Sequence, residues 1–113
     1  MDPDHIFTQT KEVISRDFEL QTPEDGMTEE ELLLVLANRV AYLIESNMEF
    51  LLSLMYRMDI KESLVNQALS PGSSDPPNIG LAKLIMQRQR QRIATKVEYK
   101  QPKIEDLEEG LEY

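Results

Sequence analysis

Few side chains in this sequence could support acid–base or nucleophilic catalysis. His5 is the only histidine among the 113 residues, and cysteine is absent. A histidine activates a serine or cysteine only when the two lie within hydrogen-bonding reach, and the sequence marks no such nucleophile for His5. We therefore expect His5 to be an ordinary surface histidine, and we expect no catalytic residue in the chain.

A pair of carboxylates offers the next candidate chemistry. Glu45 and Glu49 are one helical turn apart. Carboxylates in helix bundles bind metal ions together with Glu-x-x-His motifs on facing helices, and this sequence has no such motif. Glycine-rich phosphate-binding loops are missing too. We expect no metal and no cofactor, and an enzyme with a carboxylate site here, beside Tyr42, is the least favoured hypothesis.

A basic run, LIMQRQRQRIATK at 84–96, could instead contact a polyanion. On a helix, alternate residues lie about 200° apart, so Arg88 and Arg92 fall on one flank and Arg90 on the other. Lys96 follows Arg92, and apolar residues lie between the flanks. We interpret these bases as the border of a packing face. Nucleic-acid binding through the three arginines remains the alternative, although the helix lacks interleaved aromatic residues for base stacking.

The charge distribution supports neutralisation within the chain. The formal net charge is −9, and residues 1–31 contain ten acids and two bases. Residues 71–100 reverse the sign with six bases and two acids, and the acids predominate again after residue 100. A basic segment flanked by acidic segments is expected to pair with them or with the acids of a partner.

A long amphipathic helix is predicted over about 29–58. Thr28 and Glu31 have the spacing of a capping box, and neither Gly nor Pro interrupts the periodic apolar residues that follow. The apolar arc spans roughly 200°, whereas a helix that covers one core face needs somewhat more than 100°. One neighbouring helix cannot cover it, so either the helix lies between several elements of its own chain or part of the face is buried against a second chain. For the second case we predict a partner interface that consists of Leu34, Phe50, Leu52, Met55 and Met58.

Two further helices are predicted. Asp59 has the position of an N-cap for a short helix over about 60–69, and Asn78 for a third helix over about 79–97. A connector rich in Pro and Ser separates them at 70–78, where neither helix can continue. We expect the third helix to fold back over the long one.

The predicted helical domain at 28–100 lies between two acidic terminal segments. Residues 1–27 form an acidic N-terminal segment with a helical spacing of apolar residues, compatible with a short helix. Residues 101–113 are also acidic, and both a docking helix and a solvated tail fit their pattern. We expect a flexible tail, because termini without a core face are usually loose.

The sequence also indicates the cellular compartment of the protein. The first residues lack the basic start and apolar core of a secretory signal, and no uncharged stretch approaches the roughly 20 residues that span a bilayer. The absence of cysteine fits a reducing environment. We therefore predict a soluble, cytoplasmic protein.

The residues 31–69 and 81–96 together resemble small helical bacterial proteins of unknown function. The stretch LMYRMDIKE at 54–62 carries the most distinctive part of the resemblance, which covers about half to two-thirds of the chain. The resemblance implies a bacterial, cytosolic origin and supplies no active site.

These patterns predict an all-α protein, completed by dimerisation, that acts as a non-catalytic interaction or assembly module. Its expected partner is a second copy of the chain or a helical segment of another protein, because apolar helix faces associate in both ways.

Overall fold

The computed structural model describes residues 3–23 and 25–100. Within these residues the protein is all-helical and contains no strand, which confirms the predicted fold class. The predicted tail at 101–113 lies outside the described residues. The helices are α1 (Pro3–Phe18), α2 (Glu29–Ser46), α3 (Met48–Arg57), α4 (Glu62–Leu69) and α5 (Pro77–Lys100).

The core forms where α2 and α5 pack against each other, with α1 against both and α4 against α5. The third predicted helix, α5, therefore folds back over the long segment as expected. Ile14 and Phe18 of α1 are fully buried with Leu36 and Val40 of α2 and Ile85 of α5. The N-terminal segment thus contributes a whole helix to the core, beyond the short helix that its spacing allowed.

The start of α2 follows the predicted capping box. The Glu31 N–H donates to the Thr28 hydroxyl at 3.1 Å, and the Thr28 N–H donates to the Glu31 carboxylate at 2.9 Å. Both bonds satisfy backbone donors that the first helical turn leaves free. Local sequence alone was sufficient to predict this helix start.

The single long helix predicted over 29–58 is wrong, because Asn47 divides it into α2 and α3. Asn47 has φ −160° and ψ 68°, and its N–H still donates to the Leu43 carbonyl oxygen at 2.8 Å. Its side-chain oxygen accepts from the Phe50 N–H at 3.2 Å and so caps α3. Asparagine competes for backbone donors in this way, so it can interrupt a helix that contains no Gly or Pro.

The caps predicted for the last two helices are also wrong. Asp59 has φ +61° and lies in a left-handed turn, whereas α4 begins at Glu62 after Lys61, which makes no side-chain capping bond. The helix α5 begins at Pro77, so Asn78 lies within it and donates to the Ala37 carbonyl oxygen at 3.2 Å. Asn78 therefore ties the start of α5 to α2.

Close packing at Gly80 holds α4 against α5. A Cβ atom at this position would lie 3.3 Å from the Cβ of Ala68. Because most Cβ atoms keep a larger separation, the absence of a side chain at Gly80 allows this approach of the two helices. In the described part of the chain, no helix combines the length and apolar character that a bilayer span requires.

Candidate functional site

The five residues predicted as a partner interface divide into two groups. Met55 and Met58 are 0% and 3% exposed and belong to the chain's own core, so they offer no surface to a partner. Leu34 and Phe50 are 57% and 43% exposed, and Leu52 is half-buried. The accessible part of the predicted interface is therefore smaller than the apolar arc suggested.

Large apolar side chains remain exposed mainly on α2 and α3. Among the described residues, Leu34 and Tyr42 are exposed on α2, Phe50 and Tyr56 on α3, and Leu64 on α4. We use the name outer face for the exposed side of α2 and α3, which consists of Glu30, Leu34, Asn38, Tyr42, Glu45, Ser46, Glu49, Phe50, Leu52, Ser53, Tyr56 and Arg57.

The helix α3 has large apolar residues on its outward side as well as on its inward side, and an exposed polar stripe of Glu49, Ser53 and Arg57 runs along it. Leu51, Leu54 and Met55 point into the core. Phe50 and Tyr56 are exposed on the other side of the same ten-residue helix, and Leu52 is half-buried between the two environments. Phe50 and Tyr56 are not part of the core cluster, whereas Leu52 packs against it.

The acids of the outer face lack partners within the described structure. Glu30, Glu45 and Glu49 are exposed, and none forms an ion pair with another described residue. Arg39, the arginine of α2, lies with its guanidinium 5.4 Å from the Tyr42 ring centre and donates to the Phe18 carbonyl oxygen at 3.0 Å. Its charge is thus directed toward α1. Arg57 of α3 is exposed and lines a groove with Glu49, Leu52 and Tyr56, so the outer face carries both acids and a base.

Arg88 and Arg90, on the two flanks of α5, form different contacts within the chain. Arg88 donates from Nε to the Met58 carbonyl oxygen at 2.8 Å, and its guanidinium lies 4.0 Å from the Asp59 carboxylate. Arg90 forms an ion pair with Glu29 at the start of α2. Two of the arginines therefore pair with acids of their own chain and border the packed face of α5.

Arg92 and Lys96 are exposed, and neither forms an ion pair or hydrogen bond with another described residue. Among the described residues, a nucleic acid would therefore meet these two unpaired cations on the flank where Arg88 already has partners, while Arg90 on the opposite flank is paired with Glu29. Neutralising a phosphate chain requires several accessible bases along one surface.

The residues considered for catalysis do not come together. His5 lies on α1 with its Nε2 atom 2.9 Å from the Gln9 amide nitrogen, while Glu45, Glu49 and Tyr42 are exposed on the outer face. The described residues contain no group of three or more His, Cys, Asp or Glu side chains that could hold a metal ion. The buried carboxylate cluster that an enzymatic site would need is not formed by them.

The sequence interpretation missed one exposed apolar residue, Leu64. Its neighbours on the short helix, Val65 and Ala68, are buried. Leu64 is 41% exposed instead and lines a groove of about 360 Å³ between α4 and α5, together with Leu84 and Arg88. No local signal separates Leu64 from Val65, because the approach of α5 decides which side of α4 is covered.

No family model matches the chain, and no curated protein and no solved structure is significantly similar to it.

Proposed function

We propose that this protein is a non-catalytic interaction or assembly module that binds another protein through the outer face of α2 and α3. One observation carries the proposal: four of the large apolar side chains exposed in the described structure, Leu34, Tyr42, Phe50 and Tyr56, lie on these two consecutive helices. Single exposed apolar residues are common on protein surfaces, and their concentration on two consecutive helices favours a binding role for these helices.

The chemistry of the outer face suits contact with a helix. Tyrosine and phenylalanine bury large areas with little loss of side-chain entropy, and the tyrosine hydroxyls can remain in water at the rim. Ridges of side chains at one-turn spacing, such as Leu52 and Tyr56, pack into the grooves of a second helix. The partner in this proposal is a second copy of the chain or a helical segment of another cytoplasmic bacterial protein.

Site-specific photocrosslinking tests the proposal for either kind of partner. A photoreactive phenylalanine analogue replaces Tyr42 or Tyr56 in the native cell, and it replaces Glu12, an exposed residue of α1, in a matched control. We expect a discrete protein adduct from Tyr42 and Tyr56 and none from Glu12. Absence of an adduct at both tyrosines, or equal adducts at all positions, would contradict the proposal.

Light scattering during size-exclusion chromatography distinguishes a homodimer from a chain that binds a different protein. A homodimer should approach twice the monomer mass as the concentration rises. Leu34→Lys should then restore the monomer, while Leu64→Lys, an equal change at an exposed leucine of α4, should leave the dimer intact. A compact monomer at high micromolar concentration would remove the homodimer and leave a heteromeric partner.

A further inference from the structure

We infer that the acidic residues 101–113 cover the groove between α4 and α5 and the basic flank that leads to it, as an intramolecular ligand of this chain. These residues lie outside the described part of the chain, so their sequence and the described groove together carry the inference. The groove shares no residue with the outer face, and the inference therefore goes beyond the proposed function and does not depend on it.

The groove between α4 and α5 presents apolar side chains to solvent. Its volume is about 360 Å³, and Leu64, at 41% exposure, lines it together with half-buried Leu84. Lys61 also lines the groove, and Gln91 is the lining residue of α5 that lies nearest to the end of that helix. A segment with an apolar side and an acidic side would bury the two leucines and leave the lysine at the border of the contact.

The bases without an ion pair are concentrated near this groove. Among the exposed Lys and Arg side chains that the structure describes, those without an ion pair are Arg57, Lys61, Arg92 and Lys96. Lys61 lines the groove, and Arg92 and Lys96 follow Arg88, another lining residue, at successive turns of α5. Only Arg57 of this set lies on the outer face. The other bases mark a path from the end of α5 to the groove.

The acids beside the groove do not cancel this charge. Asp59 lines the groove, but its carboxylate lies 4.0 Å from the Arg88 guanidinium. Glu62, the first residue of α4, is exposed and is not among the lining residues. The unpaired charge of the groove and of the flank that leads to it is therefore positive.

Residues 101–113 have the complementary pattern. They contain five acids and one base, and Ile104, Leu107 and Leu111 recur at spacings of three and four. On a helix these apolar residues share one side, and the acids occupy the adjoining side. The pattern fits a docking helix as well as a solvated tail, and the solvated tail was expected because termini without a core face are usually loose. The groove supplies such a face.

The groove is within reach of these residues. Helical residues rise about 1.5 Å each, so Lys100 lies about 14 Å along the axis from Gln91 and about 24 Å from Leu84. An extended chain spans about 3.3 Å per residue, so about eight residues cover the longer distance. Pro102 opposes the continuation of α5 and favours a reversal of the chain beside it.

Covalent attachment favours this segment over a separate acidic partner. A short linker holds a tethered ligand near its site at an effective concentration of roughly millimolar. The segment can therefore occupy the groove with modest contacts, namely exposed ion pairs and a few apolar side chains.

Paramagnetic relaxation enhancement tests the inference on the full chain. The sequence contains no cysteine, so Tyr113→Cys provides a single attachment site for a nitroxide label. We expect the backbone amide signals of Lys61, Leu64 and Gln91 to broaden, while that of Tyr42 on the outer face stays sharp. Broadening confined to the last turn of α5, or broadening of the outer face instead, would overturn the inference.

A mixed sample distinguishes folding back from contact between copies. Isotope-enriched protein without the nitroxide is combined with nitroxide-labelled protein at natural isotope abundance, so that only contacts between copies broaden the observed signals. We expect no broadening in this mixture. Broadening equal to that of the labelled chain would overturn the intramolecular assignment. The photocrosslinks of the outer face do not depend on these results, so failure of the inference is distinguishable from failure of the proposed function.

Charge reversal locates the contact. In the labelled chain, Arg92→Glu/Lys96→Glu should reduce the enhancement at Leu64 about threefold, because exposed ion pairs are individually weak but act together here. The control Arg16→Glu/Arg57→Glu makes the same change in net charge at exposed residues of α1 and α3 and should leave the enhancement unchanged. Equal reductions by the two double variants would overturn the inference, because they would indicate attraction to overall charge.

Discussion

Arg88 joins the end of α3 to α5, and this role accounts for the first arginine of the QRQRQR run without an external ligand. Its Nε donates to the Met58 carbonyl oxygen at 2.8 Å, and a terminal nitrogen donates to the Gln91 side-chain oxygen at 3.1 Å. The Met58 carbonyl belongs to the C-cap of α3, where carbonyl groups lack partners within the helix. Arg88 therefore stabilises a helix end as well as covering apolar surface.

We expect Arg88→Met to lower the free energy of unfolding by about 1 kcal/mol, because the Met58 carbonyl loses its charged donor. Arg92→Met is the matched control, since Arg92 is exposed and unpaired among the described residues, and it should stay within about 0.5 kcal/mol of the wild type. Urea denaturation followed by circular dichroism measures both. Equal losses in the two variants would contradict this structural role.

Gln89 is the buried amide of α5, at 4% exposure. Among the hydrogen bonds of the described residues, none involves its side chain. A buried amide without a partner costs about 1–3 kcal/mol, so Gln89→Met should stabilise the fold by about 1 kcal/mol. Gln87→Met, at an exposed position of the same helix, should have little effect on thermal denaturation. Destabilisation by Gln89→Met would instead indicate a polar partner for the amide.

At the scale of elements, the contact between α4 and α5 depends on Gly80. Valine there would place atoms near the Cβ of Ala68, which an added Cβ would already approach to 3.3 Å. We expect Gly80→Val to destabilise the protein by about 1–3 kcal/mol through overpacking, even though valine favours a helix more than glycine does. Gly72→Ala is the control, since a Cβ there meets nothing within 4 Å. Equal melting temperatures for Gly80→Val and the wild type would show that α4 is not held by this contact.

The start of α2 was predictable from a local signal, whereas the starts of α4 and α5 and the interruption at Asn47 were not. Thr28 and Glu31 satisfy each other within one turn, so their spacing is enough to locate the start of α2. Asn47 is different, because asparagine is tolerated within helices and becomes an interruption only when the chain on both sides packs better in two pieces. The sequence signal for this interruption was the polar pair Ser46 and Asn47. The apolar periodicity continues on both sides of the pair, so the pattern predicted one continuous helix.

Which part of the wide apolar arc forms a surface could not be read from the sequence. Met55 and Phe50 both belong to that arc, yet one is fully buried and the other is exposed. The difference depends on where the neighbouring helices lie, and that placement depends on contacts far apart in sequence, such as the one between Asn78 and Ala37. Periodicity therefore predicted an excess of apolar surface without identifying the residues that carry it.

At the scale of the whole molecule, the charges disfavour nucleic-acid binding. With a net charge of −9 and with Arg88 and Arg90 already paired, we expect no detectable binding of single- or double-stranded oligonucleotides at low salt. Electrophoretic mobility shift assays measure this. Binding that falls steeply with added salt and disappears in the Arg88→Gln/Arg90→Gln/Arg92→Gln variant would restore the nucleic-acid hypothesis.

The central claim is that α2 and α3 present the binding surface of this protein, and a scan with the photoreactive phenylalanine analogue in the native cell tests it most directly. We expect the same protein adduct from Leu34, Tyr42, Phe50 and Tyr56, which are exposed on these two helices, and none from Arg92 or Lys96 on the exposed side of α5. Adducts from Arg92 and Lys96 alone, or no adduct at any of these positions, would contradict the claim.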